Sequence, residues 1–192
     1  MELNAATVMG YVRHSLADPQ GAARALIALN LPDTARWTGF ALVIVLSALM
    51  GQLSVLLMGE GGAIGPVTLG LLHAFVLMSV TVAMYGVGRA MGGGGQFADA
   101  VLLVAWLQFI MVLLQVVQII AMVVLPPLFT LVTIAALVVF LWMLTNFIAA
   151  LHGFESLPKV FGMMIATFFA IAFVLAFLMA LLGIQPPGVQ DV

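Results

Sequence analysis

The sequence predicts an all-α polytopic membrane protein, a bundle of five transmembrane helices preceded by a short amphipathic helical segment. Three observations carry this. Hydrophobic residues make up 65% of the 192-residue chain and charged residues only 6%, against about 25% charged in soluble domains. Long charge-free runs recur along the chain. The five basic residues, Arg13, Arg24, Arg36, Arg89 and Lys159, all fall on one side of those runs.

The elements follow in order. Residues 1–36 are less hydrophobic than the rest. Val8, Val12 and Leu16 recur every four residues with Asn4, Arg13 and His14 interleaved, the pattern of a short amphipathic helix lying in the membrane interface; a partly disordered tail is the alternative. Asp18-Pro19 reads as a cap followed by a first-turn proline, opening a second short helix that carries Ala22, Ala25, Leu26 and Leu29. No basic n-region opens the chain, so no cleavable signal peptide is expected, and the first span acts as the insertion signal.

Roughly 20 helical residues cross the roughly 30 Å hydrocarbon layer. By that measure spans are expected at about 37–59, 66–88, 99–125, 128–151 and 159–183, within a membrane domain at 37–184 and before a short tail at 185–192. The uncharged stretch from Ala100 to Phe154 is too long for one crossing, and it divides at Pro126-Pro127, where two amide donors are missing. A transmembrane barrel would need strands of alternating hydrophobicity. Runs such as Val132 to Phe140 are apolar on both faces.

Basic residues collect in cytoplasmic loops. Their distribution places the N-terminus in the cytoplasm and the C-terminus on the far side, with the Glu60 loop, the Pro126-Pro127 turn and the Asp191 tail opposite the basic residues. A net charge of −2 without a basic patch argues against nucleic-acid binding. Cysteine is absent, which removes disulfides, thiolate metal sites and cysteine nucleophiles together.

Asp99 and Lys159 stand at the first positions of their spans, and no Asp, Glu, Lys or Arg falls in the interior of any expected span, although such residues mark most ion pathways. Amides and imidazoles remain. His73, Gln115 and Gln118 are expected to form an outer polar layer, and Gln108 with Asn146 an inner one. Hydrogen bonding between helices is the first explanation for both layers, and a ligand pocket the second. His73 and His152 lie near opposite ends of their helices and His14 in the tail, so no metal site or cofactor is expected. Gly92 to Gly95 lack the following Lys-Ser/Thr of a phosphate loop and read as a tight turn whose glycines take positive φ. Arg24, Arg36, Arg89, Phe97 and Lys159 form the candidate cytoplasmic interface.

Four motifs carry a family resemblance: Asp18-Pro19-Gln20-Gly21-Ala22-Ala23-Arg24-Ala25-Leu26 ahead of a tryptophan-led span, Arg89 to Phe97 with its glycine run, Ala105-Trp106-Leu107-Gln108, and Asn146-Phe147 with Leu151-His152-Gly153-Phe154. In this order the chain resembles the Yip domain family of five-span, Ypt/Rab-interacting membrane proteins, in its bacterial branch. The resemblance implies membrane organisation and partner binding rather than a reaction. The tail before the first span lacks the Asp-Leu-Tyr-Gly-Pro type of motif of eukaryotic members, so GTPase binding is not carried over. The expected function is a non-enzymatic scaffold of the bacterial inner membrane that organises lipids or other membrane proteins, including copies of itself. A small permease or a transporter accessory subunit is the alternative. No nucleophile with a positioned base can be proposed.

Overall fold

The computed structural model describes residues 4–57, 59 and 65–181, and they form seven helices with no strand among them. The Glu60 loop, and the Pro186-Pro187-Gly188 and Asp191 tail, lie outside the described residues.

Helices α1 (Ala5–Ala17) and α2 (Pro19–Ala28) form a hairpin. Asn4 caps α1 by accepting from the Thr7 amide at 2.8 Å. Asp18 ends α1 and caps α2, its carboxylate accepting from the Gly21 amide at 2.9 Å while Pro19 fills the first helical position, where its missing donor costs nothing. The buried face of α1 differs from the expected one. Val12 and Ser15 are buried and Tyr11 packs against the core, whereas Leu16 is exposed. The stripe turned by one residue because α1 lies against the bundle, which offers Ser15 a hydrogen-bond partner, instead of lying only on lipid.

The five long helices are α3 (Asp33–Leu57), α4 (Pro66–Ala90), α5 (Phe97–Val124), α6 (Pro126–His152) and α7 (Leu157–Leu181). Each is long and apolar enough to cross a bilayer. Pro126 and Pro127 belong to the first turn of α6 instead of preceding it, since first-turn amides have no intrahelical acceptor to lose. At the other end of α6, Gly153 adopts φ 74° and the Phe154 amide returns to the Ala149 carbonyl at 3.0 Å, a left-handed cap that stops the helix.

Helix α5 is central, touching α3, α4, α6 and α2, while α7 leans on α6. Burial is concentrated at the end where α3, α5 and α7 begin. The buried residues of α5 lie between Asp99 and Val112 and those of α6 between Met143 and His152. Beyond them Val117, Ile120, Val123, Leu131, Ile134 and Val138 face outward. In a bilayer these side chains meet acyl chains, which solvate them as well as protein would. The packed end also carries Arg24, Arg36, Arg89 and Lys159 and is called the basic end below.

Candidate functional site

The polar side chains at the basic end build three connected features. The first joins the starts of two parallel helices. Arg36, in the first turn of α3, donates from Nη1 to Asp99 Oδ1 on α5 at 2.8 Å and from Nε to the Leu31 carbonyl at 2.9 Å. Both side chains are almost wholly buried. This corrects the expectation that Arg36 belongs to a cytoplasmic interface: its guanidinium is directed inward and spent on Asp99. Such a charge is tolerated inside because each partner hydrogen-bonds the other.

The second feature is a glycine cradle. His152, the last residue of α6, lies against Gly88 of α4 and Gly93 and Gly95 of the following loop. A Cβ on any of the three would fall within 3.0 Å of the imidazole or, at Gly95, of Leu151 as well. The Gly95 amide donates to His152 Nδ1 at 3.3 Å, so Nε2 carries the proton and donates to the Met84 carbonyl at 3.0 Å. The Gly94 amide donates to the His152 carbonyl at 3.3 Å. Of the loop glycines only Gly92 has positive φ, at 89°. The expected turn forms at Met91 and Gly92, but Gly93 and Gly95 serve close approach more than backbone freedom, a correction to the expectation that they take positive φ.

The third feature is a polar seam between the hairpin and the bundle. Trp106 Nε1 donates to Ser15 Oγ at 2.8 Å, with the Tyr11 ring edge-on to the indole at 6.2 Å. Gln20 Nε2 donates to Asn146 Oδ1 at 3.1 Å, and Asn146 Nδ2 donates to the Trp142 carbonyl at 2.8 Å. Gln108 Nε2 donates to Ser47 Oγ at 2.7 Å. Gln108 and Asn146 thus lie in one buried region without bonding each other; each reaches a different element. Ser15 and Asp99 were not singled out as site residues from the sequence, and Gln20 entered only as part of the motif at residues 18–26. Ser15 and Gln20 flank the Asp18-Pro19 turn, and that proximity was the available signal.

The remaining candidates do not join into the expected outer layer. Gln118 donates weakly to Thr133 at 3.4 Å. His73 Nε2 and Gln115 Oε1 are buried without a partner, as is Gln52 Oε1 on α3. Tyr85 of α4 stacks edge-on to Phe97 of α5 at 5.6 Å. His73 lies 12 residues outward of Tyr85, and 12 residues outward of Phe97 is Phe109. His73 is therefore nearer in depth to Gln108 than to Gln118. Phe97 is half-buried between Tyr85 and Trp37 in an aromatic cluster at the basic end. Arg24, Arg89 and Lys159 are exposed. Among the described residues no three His, Asp or Glu side chains stand close enough together to hold a metal.

Five apolar helices, packed on one another at one end and apolar to the outside, define an integral membrane protein. The chain belongs to the Yip1 domain family, whose model matches residues 13–179, from within α1 to the last turn of α7. The match takes in all of α2 and residues 13–17 at the end of α1, so the turn of the hairpin is part of the family's domain. No curated protein matches the chain, and neither does any solved structure.

Proposed function

We propose that this chain is a non-enzymatic scaffold of the bacterial inner membrane, organising lipids or partner membrane proteins from its basic end. The observation that carries the reading is the polar seam. Trp106 donates to Ser15 and Asn146 accepts from Gln20, which holds the hairpin in place, while Gln108 donates to Ser47 of α3, so these groups are neutral and engaged. Groups so engaged suit a fixed platform better than a conduit or a reaction centre. The exposed Arg24, Arg89 and Lys159 present positive charge at that end. The positive-inside rule makes this face cytoplasmic and puts the C-terminus in the periplasm. Deleting residues 2–30 should change the set of proteins recovered with the chain from native membranes, or its distribution in the membrane. Unchanged recovery and distribution together would overturn the scaffold.

A second reading, a small permease or accessory subunit, is favoured by one observation, the unpartnered polar atoms of Gln52, His73 and Gln115 inside the bundle. If they line a path, Gln115→Leu should abolish flux of the transported solute in reconstituted vesicles while the protein stays folded. If they do not, the same change should be neutral or stabilising, since an unpaired polar atom in hydrocarbon is costly.

A further inference from the structure

Helix α7 packs on α6 and stands off α4, and the gap between α4 and α7 is not uniform. Where it opens sideways it is a groove of about 550 Å³, with Phe75, Met78, Val82 and Gly86 on one wall and Thr167 and Ile171 on the other. At the basic end lies a second, more polar cavity of about 390 Å³, bordered by Met91, Glu155, Ser156 and Lys159. A small apolar void of about 30 Å³ lies between them. Met163 borders both this void and the polar cavity, while Val87 and Thr167 border both the void and the groove. Methionine re-packs at little cost, so Met84, Met163 and Met164 beside the void can yield to an inserted chain.

We propose that this row of adjoining cavities, joined once the methionines beside the void re-pack, holds one anionic glycerophospholipid, its phosphodiester at Lys159 and one acyl chain along the groove between α4 and α7. The division of chemistry along the row matches such a molecule. Its polar end carries the exposed ammonium of Lys159, with Arg89 two residues before Met91 and a single opposing carboxylate, Glu155. Its apolar end extends to Ile171, 12 residues along α7 from Lys159. At a rise of about 1.5 Å per residue that is about 18 Å, close to the thickness of one leaflet's hydrocarbon. A zwitterionic lipid would gain less from the excess positive charge, because its own cationic group opposes it.

The inference rests on the scaffold reading for its orientation and gives that scaffold a particular lipid. It is tested on the purified full-length chain in detergent, titrated with dioleoyl phosphatidylglycerol or dioleoyl phosphatidylcholine, with bound lipids counted by native mass spectrometry. One phosphatidylglycerol should be retained in preference to phosphatidylcholine. Lys159→Gln should lower that preference about fivefold, the effect of one basic residue at a membrane surface. A Cβ at Gly86 meets nothing within 4 Å, so Gly86→Leu fits the fold while filling the groove, and retention of both lipids should fall about tenfold. Arg13→Gln removes an exposed charge elsewhere and should change neither value. Wild-type retention in both Lys159→Gln and Gly86→Leu, at unchanged unfolding midpoints, would overturn the proposal. So would a dimer that Gly86→Leu dissociates, because the occupant would then be a second copy of the chain. Partner recovery is read separately. Lipid loss with recovery unchanged supports the lipid site alone, and unchanged lipid retention rejects it whatever happens to recovery.

Discussion

His152 shows how much of this fold rests on single side chains. Its ring fits only because Gly88, Gly93 and Gly95 carry no side chain, and it ties the end of α6 to the end of α4 and to the loop beyond. Gly93→Ala should lower stability by about 1–3 kcal/mol, the cost of overpacking, whereas Gly94→Ala, whose Cβ meets nothing, should leave the thermal midpoint in detergent unchanged. The Arg36–Asp99 pair makes a similar prediction. Asp99→Ala should cost about 3–5 kcal/mol because it leaves a buried guanidinium unpaired, while replacing both partners by apolar residues should recover most of the loss; equilibrium unfolding of the three variants checks this. Neither feature was legible beforehand. A glycine run announces backbone freedom, but what its missing side chains make room for lies 57 residues away. Arg36 announces a charge near a span, and its partner is 63 residues distant.

The hairpin is the element on which sequence and structure part company most usefully. Its two helices and the Asp18-Pro19 turn between them were legible, because a cap and a first-turn proline are local signals. Its seat was not, because the anchoring groups are a serine and a glutamine that a hydrophobic pattern counts as outward-facing. Ala22 and Ala23 are fully buried between α2 and its neighbours, with no measurable exposure. Ala23→Leu should therefore prise α2 from α5 and α6 while leaving the five spans inserted. Trypsin cleavage after the exposed Arg24 should then accelerate by about tenfold or more, as expected when a local opening loses roughly 1.4 kcal/mol of protection. Cleavage at the wild-type rate would mean the hairpin's seat does not depend on that close approach.

Across the whole molecule the packing is graded, close at the basic end and open toward the far end. The sequence revealed the number of long apolar helices, because their length and lack of charge are properties of each helix alone. It did not reveal the gradient, because α5 and α6 are equally apolar at both ends and only their neighbours differ. Leu103 is fully buried, whereas Leu131 is 62% exposed. Leu103→Ala should cost about 2–5 kcal/mol, and Leu131→Ala much less, since its methyl groups already face a hydrocarbon-like surround. Equal losses in a detergent unfolding series would contradict the gradient.

The ion pair between α3 and α5 also has a history in time. Asp99 is synthesised 63 residues after Arg36, and at about 5–20 residues per second that interval is roughly 3–13 s. Throughout it α3 carries an unmatched cation at its basic end, where water and lipid phosphates can solvate it until α5 arrives. Arg36 can therefore leave water only after α4 has been threaded and α5 has begun, which makes burial of the pair a late event in the birth of the protein.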